Sequence, residues 1–255
     1  MFNKNQNPDQ TSNSPRKKWL ARLLVSCAAL GTGVVLIGAL IVILAMTLIY
    51  PKLPPMDQLT DYHPKMPLRI YTADHVLMGE FGEERRNLVR INKIPDIMKK
   101  AVLAIEDDRF YQHSGVDYIG ILRAALHNLV SNNRQGASTI TQQVARNFFL
   151  TSEQTFKRKL YEVLLAWKIE RTLTKDQILE IYLNQIYLGQ RAFGFASAAQ
   201  VYFGKPLQDI TLAEAAMLAG LPKAPSANNP ITNPTRAKQR QQYILLRMKQ
   251  LGYVT

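Results

Sequence analysis

The chain has 255 residues, of which 47% are hydrophobic and 20% are charged. This composition supplies enough apolar side chains for one large domain or two small ones and excludes a mainly disordered chain. The net charge of +13 favours an anionic partner, meaning nucleic acid, phospholipid or a phosphate-bearing substrate. The single cysteine, Cys27, excludes an internal disulfide framework, and four histidines without a Cys/His cluster do not predict a structural zinc site.

The first 50 residues predict a tail and one membrane-spanning helix. Residues 1–15 are rich in Asn, Gln, Ser and Pro, which is typical of a disordered tail. Residues 23–50 contain no Asp, Glu, Lys or Arg, and as a helix rising about 1.5 Å per residue they exceed a hydrocarbon core about 30 Å thick. This stretch is longer than the apolar region of a cleaved signal peptide, about 7 to 15 residues, and it lacks the polar side of a buried soluble helix.

The charges on either side of this helix predict its orientation. Residues 1–22 carry a net charge of +4, and the residues just after the helix carry less basic charge, so the N-terminus is expected in the cytoplasm. The remaining +9 then lies outside the cytoplasm, where DNA and RNA are not expected partners. The positive charge points instead to lipid head groups or to a phosphorylated, membrane-borne substrate.

The residues after the anchor predict a linker, a small hairpin and a helical domain. Five prolines between residues 51 and 67 make the linker stiff and extended. Leu68–Tyr71 and Val76–Phe81 flank a four-residue turn and predict a hairpin. After Pro95, which suits a first helical turn, the period becomes helical, and the first helix delivers Glu106 at its C-terminal end. Its apolar stripe consists of Ile97, Met98, Ala101, Val102 and Ile105.

Three later helix starts have the spacing of a capping box. They are Thr151 with Gln154, Thr174 with Gln177, and Thr211 with Glu214. The second of these helices is expected to bury Ile178, Ile181 and Tyr182, and the third to use Leu212, Ala215, Ala216 and Ala219 for close packing. The predicted fold class is therefore mainly α.

Residues 105–115 are the first candidate site, because three carboxylates, an arginine and a histidine stand where an apolar helix runs into a glycine-bearing turn. A carboxylate near apolar surface and other acids has its ionised form disfavoured, as a general base working near neutral pH requires. The alternative is an ordinary helix end, whose acids pair with Arg109 and whose His113 satisfies a backbone carbonyl.

Residues 136–147 are the second candidate site, because they open with glycine and small hydroxyl residues and then enter a helix. Free backbone N–H groups at the helix start, together with the hydroxyls of Ser138 and Thr139, can hold phosphate oxygens. The spacing is not that of a P-loop. The alternative is an ordinary Ser/Thr cap followed by a polar helix.

Two further segments carry polar residues at helical spacing. Arg158 and Glu162 are four residues apart and share a helix face, which is usually a solvated salt bridge. In a cleft, Arg158 and Lys159 would instead suit a diphosphate, with Glu162 orienting them or holding a divalent cation. Residues 175–184 place a lysine, an isoleucine and a tyrosine along one helix side, most simply as packing with a polar edge.

Together, these four segments resemble, in order and spacing, the motif set of the family 51 peptidoglycan glycosyltransferases. The motif E-D-x-x-F-x-x-H-x-G falls on Glu106, Asp107, Phe110, His113 and Gly115. The motif G-x-S-T-x-T-Q-Q-x-x-x-N falls on Gly136, Ser138, Thr139, Thr141, Gln142, Gln143 and Asn147. The motifs R-K-x-x-E and K-x-x-I-x-x-x-Y-x-N fall on Arg158, Lys159 and Glu162 and on Lys175, Ile178, Tyr182 and Asn184. The resemblance covers roughly residues 67–250.

The resemblance implies a lysozyme-like fold and the polymerisation of lipid II into glycan strands at the outer face of the bacterial plasma membrane. The implied catalytic base is Glu106, which takes a proton from the 4-hydroxyl of the acceptor sugar as that oxygen attacks the anomeric carbon of the lipid-linked strand, with inversion. A departing diphosphate needs no proton, so one carboxylate base is enough. The implied partners are lipid II, the nascent strand, membrane lipid and cell-wall synthesis proteins.

The resemblance also implies the roles of other residues, with Glu162 as a second catalytic carboxylate. The implied substrate-binding residues are Asp107, Phe110, His113, Ser138, Thr139, Gln142, Gln143, Arg146, Asn147, Arg158 and Lys159. Among them, Arg146, Arg158 and Lys159 are the diphosphate-binding group, because fixed cations stabilise the charge that grows on the departing diphosphate. A Mg²⁺ or Mn²⁺ ion, with Glu162 as its candidate ligand, is implied to share that task, and no organic cofactor is implied.

Residues 118–130 have two interpretations. Ile121, Leu122, Leu126 and Leu129 lie on one side of this predicted helix. The helix either dips into the lipid surface and admits the polyprenyl tail, or it is an ordinary core helix.

The resemblance is strongest to class A penicillin-binding proteins, which add a transpeptidase domain. Such a domain needs S-x-x-K, S-x-N and K-T-G elements, and this sequence has Ser14–Lys17 in the predicted tail and Ser226–Asn228 but no K-T-G. The chain is either the N-terminal part of a longer protein or a glycosyltransferase acting alone, and its uncapped ending favours the first. The predicted organisation is a tail at 1–22, a transmembrane helix at 23–50, a linker at 51–67, a glycosyltransferase domain at 68–250 and the start of another linker at 251–255.

Two other functions compete with this one. A membrane-anchored, lysozyme-like lytic enzyme would cut peptidoglycan with a carboxylate at a helix end, but it has no diphosphate to bind and leaves the cations unused. A non-catalytic membrane scaffold needs only the caps and the basic surface, and it leaves the coincidence of four motifs unexplained. A glycosyltransferase is therefore the preferred prediction.

Overall fold

The computed structural model describes residues 15–60, 67–74, 77–131, 136–150 and 155–255. The chain divides into two compact units, residues 1–53 and residues 54–255.

The described part of the first unit, residues 15–53, is mostly one long apolar helix. Within the described residues, Arg22–Lys52 is the one segment whose length and composition suit a membrane span. The hydroxyls of Thr32 and Thr47 donate to carbonyl oxygens one turn back, so these polar groups are satisfied inside the helix, as an apolar surrounding requires. The segment is made of α1, Pro15–Leu44, a π-helical turn, Ala45–Ile49, and a 3₁₀ turn, Tyr50–Lys52.

The start of α1 differs from the prediction. The helix begins at Pro15 rather than at Leu23, so residues 15–22 of the predicted tail are helical. A proline fits this position because the first helical turn needs no N–H from it. The remainder of the predicted tail, residues 1–14, lies outside the described residues.

The second unit begins with a short helical turn and the predicted hairpin. The helical turn α2, Asp57–Thr60, interrupts the segment predicted as an extended linker. Strands β1, Leu68–Tyr71, and β2, Leu77–Phe81, pair antiparallel with a register shift after Ile70. The hairpin is therefore confirmed, while His75 of its predicted turn and Val76 of its predicted second strand lie outside the described residues.

The rest of the second unit is mainly helical, which confirms the predicted fold class. Two short strands, β3 and β4, pair in parallel, and 3₁₀ turns connect several helices. The strands are β3, Arg85–Arg86, and β4, Ala192–Phe193. The helices are α3, Asp96–Glu106; α4, Tyr118–Val130; α5, Ile140–Phe149; α6, Phe156–Thr172; α7, Lys175–Gln185; α8, Phe195–Phe203; α9, Leu212–Ala219; and α10, Pro234–Gln250.

Capping boxes begin three of these helices. The boxes predicted at Thr174 and Thr211 are present, and a third box at Thr139 begins α5. The box predicted at Thr151 with Gln154 lies outside the described residues. The next helix, α6, has Thr155 as its N-cap, whose side chain accepts a hydrogen bond from a backbone N–H. These local caps fix where the site helices start.

Helix α3 is held at the centre of the second unit by two partners. It packs against α9 and α10, and its Met98, Ala101 and Val102 are fully buried. The alanines of α9 that were expected to permit close packing, Ala215, Ala216 and Ala219, are also fully buried. On the other side, α5 packs against α6 and α7. This arrangement brings the end of α3 to the first turns of α5.

Candidate active site

A cleft of about 1060 Å³ opens at the C-terminal end of α3. Its walls are α4, the segment before α5, the first turns of α5, the segment after α9, and α10. The charged and polar lining includes Glu106, Asp107, Asp108, Arg123, Ser138, Gln143, Arg146, Arg240 and Arg247. Acids and basic residues from α4, α5 and α10 therefore line the same cleft.

Glu106, the predicted base, is the last residue of α3 and lines the cleft. Gln143 on α5 donates its Nε2 to the Oε2 of Glu106 at 2.8 Å. Burial raises the pKa of Glu106 above its usual value, while the hydrogen bond from Gln143 and the charges of Arg240 and Arg146 oppose that rise. A carboxylate with a raised pKa at a cleft surface is suited to accept a proton from a bound hydroxyl.

Asp107, the next residue, forms hydrogen bonds within the protein. Its Oδ2 accepts the backbone N–H of Ile140, the first residue of α5, at 3.0 Å, and its Oδ1 lies 3.0 Å from the Nε2 of His113. A negative carboxylate at the start of α5 is also favoured by the helix dipole. These contacts join the end of α3 to the start of α5 and so place Glu106 beside Gln143.

The helix start that the sequence predicts as a phosphate site is already occupied by the protein's own groups. The N–H of Ile140 goes to Asp107, and the Thr139 hydroxyl donates to the carbonyl of Gly115 at 2.6 Å. Thr139 and Gln142 satisfy each other in the capping box. Thr139 and Gln142 thus form the helix cap of the alternative interpretation.

Glu162 on α6 is 1% exposed, so its ion pair with the preceding basic residues is not a solvated salt bridge. The Nζ of Lys159 lies 2.9 Å from its Oε2, and the Nε of Arg158 lies 3.3 Å from its Oε1. Lys159 also donates to the hydroxyl of Ser138 at 2.9 Å, and Ser138 lines the cleft. The buried carboxylate therefore holds Lys159 beside the loop that precedes α5.

Glu162 does not fit the divalent cation that the resemblance implies. Both of its oxygens face positive side chains, Lys159 and Arg158, whose charges oppose a further cation. Among the described residues, no group of three His, Cys, Asp or Glu side chains is arranged to hold a metal ion. The side chains present thus provide no Mg²⁺ or Mn²⁺ site at this position.

Arg146 and Arg240 place positive charge near Glu106 from opposite elements. Arg146 on α5 is a predicted diphosphate ligand and lines the cleft. Arg240 on α10 is not anticipated by the motifs, yet its charge lowers the pKa of Glu106, and its guanidinium lies 5.3 Å from the ring centroid of Tyr243. The spacing of Arg240, Tyr243 and Arg247 puts them on one face of α10, but spacing does not show which element that face meets.

Asp108 joins two walls of the cleft, a contact that sequence reasoning also misses. Its carboxylate accepts hydrogen bonds from Arg123 on α4 at 3.3 Å and from Arg247 on α10 at 2.5 Å. Asp108 and Arg247 are 139 residues apart in the sequence. Arg109, which the ordinary-helix-end alternative paired with these acids, instead lies 3.8 Å from Asp117.

Other predicted site residues lie behind the cleft or at its margin. Phe110 is 1% exposed, and the Nζ of Lys175 lies 4.3 Å from its ring centroid. Asn147 is exposed on α5 and is not among the described lining residues. Ile178 and Tyr182 are fully buried on α7, as predicted, whereas Ile181 is only partly buried.

Helix α4 presents apolar side chains to the surface. Its buried residues are only Gly120 and Ala124, so the core-helix interpretation is wrong for this segment. The exposed apolar residues are Tyr118, Ile119, Ile121, Leu122, Leu126, Leu129 and Val130. An apolar helix face beside a cleft is typical of a surface that meets a lipid or another apolar partner.

Comparisons with known proteins show the family of the chain. Residues 74–249 match the family model described as transglycosylase. Penicillin-binding protein 1A of Neisseria gonorrhoeae is 58% identical over 237 residues, which are 92% of this chain and 30% of that protein. A protein of Cupriavidus necator named as a transglycosylase is 54% identical over 218 residues, which are 86% of this chain and 86% of that protein. The crystal structure of penicillin-binding protein 1A from Haemophilus influenzae aligns with a TM-score of 0.42 and 30% identity, covering 76% of this chain and 19% of that chain.

The chain therefore belongs to the transglycosylase family. The resemblance to the family 51 peptidoglycan glycosyltransferases is confirmed, and with it the predicted enzyme class. The chain spans 30% of the length of its relative from Neisseria gonorrhoeae.

Proposed function

We propose that this chain polymerises lipid II into peptidoglycan glycan strands by inverting transfer of a lipid-diphosphate-linked glycan to the 4-hydroxyl of an acceptor lipid II. The observation that carries the proposal is the position of Glu106, a partly buried carboxylate that lines a cleft between arginines of α5 and α10. This arrangement provides a proton acceptor and positive charge in one place, as transfer from a diphosphate requires.

Glu106 is the general base of the proposed reaction. Its carboxylate takes the proton of the acceptor 4-hydroxyl while the hydroxyl oxygen forms a bond to the anomeric carbon of the donor and the bond from that carbon to the diphosphate breaks. The electron pair of the broken bond leaves with the diphosphate. Because burial raises the pKa of Glu106, the proton is accepted more readily than by a solvent-exposed carboxylate.

The cations around the cleft stabilise the leaving group. Negative charge grows on the departing diphosphate, so positive groups held in place before the reaction stabilise the transition state more than the ground state. Arg146 lines the cleft, and Lys159 reaches Ser138 at its edge. The buried carboxylate of Glu162 orients Lys159 and Arg158 through its ion pairs with them. No step of the proposed reaction passes through a metal ion.

Asp107 and His113 support the proposed base rather than the substrate. His113 contacts Asp107, and Asp107 accepts the backbone N–H of Ile140 at the start of α5. These contacts fix the two helices whose side chains meet at Glu106 and Gln143. In the same way, Thr139 and Gln142 set the start of α5 through their capping box. These contacts hold the reacting groups in a fixed position and orientation.

We place the reaction at the outer face of the bacterial plasma membrane. The apolar helix at Arg22–Lys52 and the basic residues that precede it support a single-pass anchor with a cytoplasmic N-terminus. The exposed apolar face of α4 supports contact of the second unit with membrane lipid or with the polyprenyl tail.

The test is lipid II polymerisation by the detergent-solubilised protein and by Glu106→Gln. We expect wild type to make glycan, and the variant to lose about 10²- to 10⁴-fold in rate, the usual contribution of a general base. Glu83→Gln, which changes an exposed acid outside the described cleft lining, is the matched control and should polymerise at the wild-type rate. Product length on a gel and a thermal unfolding scan of each protein complete the measurement.

The same assay separates the competing functions. A protein that makes no glycan but shortens preformed strands is a lytic enzyme, and the proposal then fails in the direction of the chemistry. A wild type without either activity supports the non-catalytic scaffold. If Glu106→Gln polymerises as fast as wild type, the base has been assigned to the wrong residue.

A further inference from the structure

We propose that Tyr182 is a positioning residue for the catalytic base. Its hydroxyl fixes the amide of Gln143 in one orientation, and that amide holds the carboxylate of Glu106 in its ionised form. The inference rests on the proposed function, because it takes Glu106 as the proton acceptor.

The three side chains form a chain of hydrogen bonds that runs from the core to the cleft. Tyr182 lies on α7 and is 1% exposed. Its hydroxyl donates to the Oε1 of Gln143 at 3.4 Å, and the Nε2 of Gln143 donates to the Oε2 of Glu106 at 2.8 Å. Helices α7, α5 and α3 each contribute one of the three side chains, so this series of hydrogen bonds depends on tertiary packing.

The chemistry of an amide explains why orientation matters. Gln143 has an acceptor end and a donor end, and an ionised carboxylate can only accept. When the tyrosine hydroxyl donates to the amide oxygen, the amide NH₂ group faces Glu106. The opposite orientation would face an amide oxygen toward Glu106, and that would favour the protonated acid. The hydroxyl therefore biases the site toward the form of Glu106 that can accept a proton.

The surroundings of Tyr182 keep its hydroxyl protonated, so that it can donate a hydrogen bond. Burial and the nearby negative charge of Glu106 raise the pKa of Tyr182 well above its usual value, so it stays protonated over the working pH range. The charged groups that act on Glu106 are Arg240 from α10, Arg146 from α5 and Asp107 at the end of α3. These charges are unchanged when only the tyrosine hydroxyl is removed, so the variant isolates the effect of the hydrogen-bond chain.

The first test is Tyr182→Phe in the full chain with lipid II as substrate. The 3.4 Å contact is long for an O–H···O hydrogen bond, so we expect kcat to fall about five- to tenfold with little change in KM. The acidic limb of the kcat profile should move to higher pH. Tyr202→Phe removes a hydroxyl that donates to the carbonyl of Leu188, outside the described cleft lining. This control should keep the wild-type pH profile.

A double-variant cycle supplies the second test. If Tyr182 acts through Gln143, then Tyr182→Phe combined with Gln143→Ala should be no slower than Gln143→Ala alone. If the two effects multiply, or if the acidic limb of Tyr182→Phe coincides with that of wild type, the inference is overturned.

A third variant covers the case in which Tyr182→Phe does not fold. Gln143→Glu keeps the size of the side chain but replaces its NH₂ donor with oxygen, so the acidic limb should move to higher pH. A wild-type profile in this variant would also overturn the inference. A wild type that makes no glycan would instead refute the proposed function, so the two failures are distinguishable.

Discussion

At the residue scale, the burial of Glu106 destabilises its ionised form, which is the form that the proposed reaction needs. Its neighbours include one amide donor and two arginines, yet burial still raises its pKa. Asp107, one residue further, has a hydrogen bond from a backbone N–H and a histidine partner. Two adjacent acids thus have different tasks, because one faces the cleft and the other closes the start of α5.

The raised pKa predicts a pH-dependent gain in stability for Glu106→Gln. A carboxyl group whose pKa is higher in the folded state stabilises the fold fully below its unfolded pKa and loses that contribution as pH rises through the folded pKa. At neutral pH, the neutral variant should therefore unfold about 2–4 °C above wild type, and the difference should shrink as pH falls to 4. Thermal scans from pH 4 to pH 8 measure this, with Glu83→Gln as the control. A variant less stable than wild type at neutral pH would contradict it.

At the element scale, caps and helix ends build the site from local signals. The capping box at Thr139 and the end of α3 at Glu106 are set by residues within one turn, and such short-range patterns are readable from sequence. The opposite wall is different, because α10 is positioned by its packing on α9 and on α3, which is distant in sequence. Gly220 contributes to that packing, since a Cβ there would lie 2.8 Å from the Cγ of Arg240.

The exposed face of α4 predicts direct contact with the bilayer. Leu126 is 58% exposed on this face, whereas Gln239 is exposed on α10 among polar residues. In a Cys27→Ser background, we would attach an environment-sensitive fluorophore to Leu126→Cys or Gln239→Cys and reconstitute each protein in phospholipid vesicles. Emission at position 126 should shift to the blue relative to position 239 because the first probe enters an apolar medium. Equal emission from the two positions would show that α4 remains in water.

At the scale of the whole molecule, sequence predicts what lies close along the chain and misses what folding brings together. The apolar helix, the hairpin, the mainly α class and Glu106 at a helix end all follow from periodicity and local spacing. The contacts of Asp108 with Arg247 and of Glu106 with Gln143 join separate elements, and no local pattern encodes them. For the same reason, no local pattern predicts that two donors expected to hold phosphate, the N–H of Ile140 and the hydroxyl of Thr139, are used by Asp107 and Gly115 from outside the segment.

The motifs of these 255 residues predict that they do not react with penicillin. They match the transglycosylase family model over residues 74–249, and the sequence has no K-T-G element, which serine transpeptidases need to complete their site around the nucleophile. A fluorescent penicillin should therefore leave the protein unlabelled under conditions in which it polymerises lipid II. Excess penicillin should likewise leave the polymerisation rate unchanged, because the drug acylates a nucleophile that the glycosyl transfer does not use.

Labelling is measured on a gel of the protein after incubation with the fluorescent drug, beside a class A penicillin-binding protein as positive control. Stoichiometric labelling would mean that a serine nucleophile is assembled within these residues without that element, and this prediction would then be wrong.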